Sequence, residues 1–202
     1  MQDLATQFGP IDIYLFDQLL RGRLSPPMRV VDAGCGAGRN LHYLLRAGFR
    51  VAAVDAEAAA VAATRELAAR LAPALPANDF RVEPVEVMTF PDHSADAVVS
   101  IAVLHFARDD AHFATMLREM WRILRPGGLL FCRLASDIGM EGRMQPLGGR
   151  RYHMPDGSDR YLVNETMLLE WTRELGGQLL DPLKTTVVQD QRCMTTWVVQ
   201  KS

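Results

Sequence analysis

Residues 30–40, VVDAGCGAGRN, run from an apolar stretch through an acid into three glycines spaced two apart, and close on an arginine and an asparagine. An apolar run of this kind reads as a short buried strand. Glycines directly after it permit positive φ and let the backbone approach a ligand with no Cβ in the way. A strand, a glycine turn and a helix in that order are the opening of a βαβ unit, and the rest of the chain continues the alternation. MRVVDA and FRVAAVD read as strands with GRNLHYLLRAG between them as a helix closed by Gly48. The Ala-rich EAAAVAATRELAARLA is a helix by propensity, ended near Pro73. FRVEPVEV is a third strand, which Pro84 puts at a sheet edge, and ADAVVSIAVLHF is a fourth, apolar enough for burial on both faces.

Downstream, Asp109 or Asp110 caps a helix in which Phe113, Met116, Leu117, Met120, Trp121 and Leu124 repeat at helical spacing. RPGG ends it, LLFCRLA is a fifth strand, and NETMLLEWTRELGG is a helix capped by Asn164. KTTVVQ and RCMTTWVVQK are two β-rich runs with a tight link at Asp190-Gln191. The expected fold is a doubly wound α/β sheet, mostly parallel, with helices on both faces and an antiparallel last strand. Residues 1–202 are expected to form one domain. Residues 1–27 would be an N-terminal helical segment in which Ile11, Leu15, Leu19 and Leu20 share a face. Residues 136–161, too long for a routine strand–helix link, would be an inserted substrate lid.

The net charge of −2 gives no global attraction to nucleic acid or to an anionic membrane. No basic cluster followed by an apolar stretch opens the chain, and no apolar run approaches membrane-spanning length. Cys35, Cys132 and Cys193 are odd in number and far apart, which argues for reduced thiols rather than a disulfide frame or a zinc site. A cytoplasmic location is expected, with no metal. The sequence says nothing of oligomeric state.

A parallel sheet binds ligands at the carboxyl ends of its strands. That places Asp32, Gly34, Gly36 and Gly38 on the rim, with Asp55 closing the second strand where a carboxylate can accept ribose hydroxyls. Two ligands suit this arrangement. A dinucleotide prefers G-x-G-x-x-G, but Arg39 occupies the third glycine's place. S-adenosylmethionine has no phosphates, and its amine and sulfonium make an acid such as Asp32 useful. The residues favour the second ligand, while an NAD-type oxidoreductase and glycines that serve only a tight turn stay open.

The ordered motifs VVDAGCGAGRN, VAAVDAE, VEVMTFPDHSADAVVSIAVLHF and RILRPGGLLF resemble those of class I S-adenosylmethionine-dependent methyltransferases, in the branch acting on small molecules. That resemblance implies a seven-stranded sheet. It implies a cofactor site in which Asp32, Gly34, Cys35, Gly36 and Gly38 hold the methionine portion, Asp55 the ribose and Ala56 the side of the adenine. Glu86 would meet the adenine amine, with Val87 stacking on the ring. His105, after the fourth strand, is the candidate general base. Tyr14 on the opening helix and Arg150, Arg151 and His153 in the insertion are candidate substrate contacts, the basic ones suiting a carboxylate or other oxyanion. A non-catalytic subunit that binds the same cofactor would carry the same glycine loop and acids.

Overall fold

The computed structural model of the chain describes residues 3–202. Met1 and Gln2, the start of the expected N-terminal segment, lie outside the described residues. Two short helices come first, α1 (Leu4–Phe8) and α2 (Ile13–Leu20). Asp12 caps α2, accepting from the backbone N–H groups of Tyr14 and Leu15. The buried positions of α2 are Leu15 and Gln18, whereas Leu20 is exposed. Leu20 falls off the expected apolar face because five residues on from Leu15 is a rotation of roughly 140°.

Then strand and helix alternate: β1 (Arg29–Ala33), α3 (His42–Arg46), β2 (Arg50–Asp55), α4 (Ala58–Leu71), β3 (Phe80–Val82), β4 (Ala95–Ile101), α5 (Asp110–Ile123) and β5 (Leu124–Ala135). Asp109 caps α5 by accepting from the His112 N–H. Beyond the insertion come α6 (Glu165–Glu174), capped by Asn164, and three more strands of the same sheet: β9 (Gly177–Leu179), β10 (Lys184–Val188) and β11 (Arg192–Lys201).

The sheet order is β10-β11-β5-β4-β1-β2-β3. β1 pairs in parallel with both β2 and β4, β4 in parallel with β5, and β11 antiparallel to β5. The doubly wound sheet with one antiparallel strand is therefore as expected. An eighth strand, β9, pairs with the far end of β11, the strand that also carries β10. Residues 180–183 interrupt that edge. There Asp181 and the Leu180 carbonyl receive the guanidinium of Arg23, which explains why one edge line is split into two strands.

Buried side chains form an extensive core on each face of the sheet. One contains Phe113, Leu117 and Met120 of α5 together with Trp197, whose indole N–H donates to Thr172 of α6. The other packs Leu44 and Leu45 of α3 and Val61 and Leu67 of α4 under Val51, Ala53 and Val99. Nearly all of β1, β2 and β4 is buried, as expected of parallel strands covered on both sides.

Three expectations change locally. Pro84 does mark an edge, but β3 is only three residues long and stops before it, so Glu86 and Val87 stand in a turn. The helix after the glycine loop begins at His42, four residues beyond Gly38, and has five residues. The chain between is a series of turns, so no helix N-terminus abuts the loop. The β10–β11 corner is Gln189-Asp190, both at positive φ, one residue earlier than the sequence suggests.

The insertion is structured. Gln145–Gly148 (β6), Arg151–His153 (β7) and Asp159–Tyr161 (β8) form a separate antiparallel sheet. Met140, Met154 and Leu162 pack with Cys193 and Met194 of β11 as a small third core. Tyr161 is buried, stacks on Phe113 and donates its hydroxyl to Asp110 at 2.8 Å, which fastens the insertion to α5. Among the described residues no helix is long and apolar enough to cross a membrane.

Candidate active site

The glycine loop is stitched to β2 by its own backbone. The N–H groups of Gly34 and Cys35 both donate to the Val54 carbonyl at 2.9 Å, and that of Gly36 donates to Asp55 Oδ2 at 2.8 Å. The Gly38 N–H donates to the Cys35 carbonyl. These donors are engaged within the chain, whereas a site for a pyrophosphate needs such loop N–H groups turned outward.

The glycines have different reasons. Gly34, at φ +89°, passes so close to Val103 that a Cβ would lie 2.3 Å from a valine methyl. Gly36, at φ +52°, faces open space. Gly38 backs onto α4, where a Cβ would meet Leu67 at 2.9 Å and Thr64 at 3.1 Å. It lies off the wall of the cleft and serves loop-to-helix packing.

Above the loop lies a cleft of about 770 Å³. Gly34, Cys35, Gly36, Asp55, Ala56 and Glu86, all named from the sequence, line it. So do Arg39, Val85, Val103, Phe106, His112 and Met116, which sequence reasoning did not assign to it. Asp55 holds the loop through the Gly36 N–H and its own turn through the Glu57 N–H at 3.0 Å. Cys35 is buried, which pushes its thiol up to about 12 and leaves it a packed, unreactive wall.

Asp32 is buried beneath the loop instead of on the cleft wall, and its Oδ2 has no hydrogen-bond partner. Burial raises its carboxyl to about 7; Arg39 opposes that rise and Asp55 adds to it. Glu86 is partly exposed. Burial pushes its carboxyl up, but its own backbone N–H, His112 and Arg108 outweigh that and hold it below the usual range. His112 Nε2 lies 3.0 Å from Glu86 Oε1, near enough to pair but out of hydrogen-bonding alignment.

Val87 does not line the cleft. Its N–H is spent on the Pro84 carbonyl and its side chain is exposed, so Pro84 and Val85 form the wall expected of it. The tight turn after the edge strand is the cause.

A second chamber of about 340 Å³ adjoins the first, sharing Arg39, Ala102 and Phe106 with it. His105 faces this chamber. It is buried, its Nδ1 has no partner, and burial together with the Arg160 charge takes the imidazole down to about 3. Arg133, Arg160 and Arg192 complete a set of four guanidinium groups against one carboxylate, Asp156.

The other sequence candidates lie elsewhere. Tyr14 donates to or accepts from Thr186 at 2.6 Å and lies under the Arg133 guanidinium, so it braces the wall without lining it. Arg150 lies near Asp110 in a separate surface hollow beside α6. Arg151 is on the middle strand of the insertion and His153 pairs with Asp159 at 2.7 Å; neither lines either chamber. Alternation along β7 and its pairing with β8 set these directions, which a loop reading could not foresee.

A glycine loop after β1, a carboxylate at the end of β2 and this strand order are features of doubly wound nucleotide-binding domains. Comparison with known proteins makes this specific. Residues 31–132 match the family described as "Methyltransferase domain", and the chain belongs to that family. A ubiquinone biosynthesis O-methyltransferase of Methylocella silvestris is 34% identical over 104 residues, 52% of this chain and 38% of that one. A malonyl-[acyl-carrier protein] O-methyltransferase of Yersinia pestis is 32% identical over 142 residues, 70% of this chain and 46% of that one. The chain thus spans less than half the length of these two curated relatives.

In fold, it superposes on the 1,6-didemethyltoxoflavin-N1-methyltransferase of Burkholderia thailandensis, solved with its substrate and S-adenosylhomocysteine. The TM-score is 0.72 at 21% identity, covering 99% of this chain and 81% of that one. S-adenosylmethionine is the cofactor of this class, and the site accommodates it. The loop donors are not arrayed for phosphates, Gly36 leaves room at the cleft floor, and Ala56, Pro84, Val85 and Met116 offer apolar walls to a base.

Proposed function

We propose that the chain transfers a methyl group from S-adenosylmethionine to a small molecule bearing a carboxylate or another oxyanion. The observation that carries the acceptor class is the chamber beside the cofactor cleft, where four guanidinium groups face one carboxylate. Arginine matches planar oxyanions through two parallel N–H donors, so a cluster of this sign selects anions.

When bound, the cofactor supplies a methyl group activated by a sulfonium. The chain's residues hold the reactants. Asp55 offers the carboxylate for ribose hydroxyls, Glu86 accepts from an adenine amine, and Gly34 to Gly36 form the floor under the amino-acid portion. Phe106 stands between the cleft and the acceptor chamber. Positioning of this kind lowers barriers by about 7–11 kcal/mol in favourable cases. His105 belongs to the wall of the acceptor chamber as a neutral imidazole, able to donate or accept one hydrogen bond to a seated substrate.

Calorimetric titration with S-adenosylhomocysteine, beside NADH, tests the cofactor side. Micromolar affinity for the first is expected. Asp55→Ala should weaken it by about 10–100-fold, as loss of a charge-assisted hydrogen-bond acceptor does. NADH binding without S-adenosylhomocysteine binding would refute the reading. Turnover then separates the enzyme from a non-catalytic cofactor-binding subunit.

A further inference from the structure

The four arginines of the acceptor chamber are not equivalent. Arg133 donates to Asp12 Oδ2 at 2.9 Å, and Arg192 lies 3.5 Å from Asp156 Oδ2. Those two charges are balanced. Among the described residues Arg39 makes no hydrogen bond or ion pair with a side chain, and Arg160 reaches only the Asp159 carbonyl, at 3.3 Å. Both of these guanidinium groups border the residues that the two chambers share. Arg39 lines both chambers, and Arg160 lies over the ring of Phe106, 4.7 Å from its centroid, which also lines both. Ala102, the third shared residue, is held at φ +62°, an unfavourable conformation for a residue with a Cβ. Two guanidinium groups with no ion-pair partner among the described residues therefore border the opening between the chambers.

Among the described residues the chamber's own lining offers two groups that could take a proton, His105 and Asp156. His105 is held neutral by burial and by Arg160. Asp156, although burial pushes it up, is kept below the usual range by Ser158 and Arg192. An alcohol, phenol or ammonium acceptor would need its proton removed there; a carboxylate arrives ionised.

Resting on the methyltransferase reading above, we propose that the acceptor is a carboxylate, one oxygen held by Arg39 and Arg160 beside Phe106 and the other taking the methyl group, and that the product is a methyl ester. The oxygen lone pair forms the O–CH₃ bond. The S–CH₃ bond breaks with its electron pair left on sulfur, giving the neutral thioether of S-adenosylhomocysteine. The negative and positive charges cancel and no proton moves. Guanidinium groups on one carboxylate oxygen reduce its nucleophilicity somewhat, and fixing the other oxygen in line offsets that loss.

The test uses the full chain and a panel of aliphatic and aromatic mono- and dicarboxylic acids, each beside its primary amide. Methyl-labelled S-adenosylmethionine reports transfer, and calorimetry on the S-adenosylhomocysteine complex reports binding. Label that becomes volatile methanol after alkaline hydrolysis is expected, together with binding of the acid in preference to its amide. Arg160→Gln should weaken that binding by roughly 10–100-fold with S-adenosylhomocysteine affinity unchanged, and Arg160→Lys should recover part of it.

Three outcomes overturn the assignment while leaving the methyltransferase reading intact. Label stable to alkali is one, and acids that bind through Arg160 but are never labelled are another. The third is a chain that binds S-adenosylhomocysteine yet prefers no acid over its amide. Failure to bind S-adenosylhomocysteine at all would remove the reading on which the assignment rests.

Discussion

The two chambers that meet at Phe106 are built in different ways. The cofactor cleft is made largely by neighbours in sequence: residues 34–37 with Arg39 and Asn40 form its floor, and Asp55, Ala56 and Glu57 come at the end of the strand beside it. Its geometry comes from local backbone, through glycines at positive φ and loop N–H groups bound to Val54 and Asp55. The acceptor chamber gathers Arg39, His105, Arg133, Asp156, Arg160 and Arg192 from the loop, β4's exit, β5, the insertion and β11. Its geometry comes from long-range pairs such as Asp12–Arg133 and Asp156–Arg192. A site made of contiguous backbone accepts one ligand shape, whereas one assembled from distant side chains can change its ligand by single substitutions.

That contrast can be broken most forcefully at Asp12. Its carboxylate caps α2 and pairs with Arg133 from a nearly buried position. Asp12→Ala should cost about 4 kcal/mol or more, because it removes a cap and leaves a guanidinium short of its partner. Urea denaturation would show this, and little loss would mean that the acceptor wall does not depend on the distant pair.

Gly34→Ala probes the local design on the other side. The φ of +89° and the 2.3 Å approach to Val103 predict a loss of about 2–4 kcal/mol, from backbone strain and overpacking. The same denaturation series measures it, and retained S-adenosylhomocysteine affinity in that variant would show that the loop has more slack than its contacts imply.

Asp32 offers a pH-dependent view of the cofactor side. Its folded-state value of about 7 exceeds the ordinary 3.8 of a free aspartate, so the folded chain keeps a proton that the unfolded chain has lost. The contribution is fully present below about pH 4, declines as pH rises toward 7 and levels off above. In the cofactor-free chain this one group lowers stability by up to about 1.4 kcal/mol per pH unit across that window. Asp32→Asn should flatten the wild-type slope between pH 4 and 7, read from denaturation midpoints, and an unchanged slope would contradict the buried-acid account.

The smallest effects are expected at Arg150 and His153. Both lie outside the two chambers, and alanine at either should shift stability by no more than about 0.5 kcal/mol and leave S-adenosylhomocysteine binding intact.

The same contrast explains what could be read from the sequence. The order of strands and helices, the antiparallel end and the cleft-lining Gly34, Gly36 and Asp55 follow from periodicity, glycine spacing and strand ends, all local signals, whereas Glu86 follows from the family resemblance. Val87 lies off the cleft because the turn's direction depends on one backbone hydrogen bond, Val87 to Pro84. Nothing in the sequence separates Arg150, Arg151 and His153 of the insertion from Arg160, yet of these four only Arg160 lines the acceptor chamber. Strand pairing decides that, and pairing partners in a glycine-rich segment carry no periodic signature. Arg39 stood out only as a departure from a dinucleotide pattern, and Arg133 and Arg192 were hidden inside strands whose apolar character dominated the reading. Charge on an alternating strand, facing the same end of the sheet as the glycine loop, was the available signal.

The division of labour between the chambers has a direct measurement: the crystal structure of the chain with S-adenosylhomocysteine. The account predicts adenosine in the cleft over Gly36, ribose hydroxyls within hydrogen-bonding distance of Asp55, the adenine amine toward Glu86, and the arginine-lined chamber left open. Adenosine lodged among Arg133, Arg160 and Arg192, or a ribose that does not meet Asp55, would contradict it.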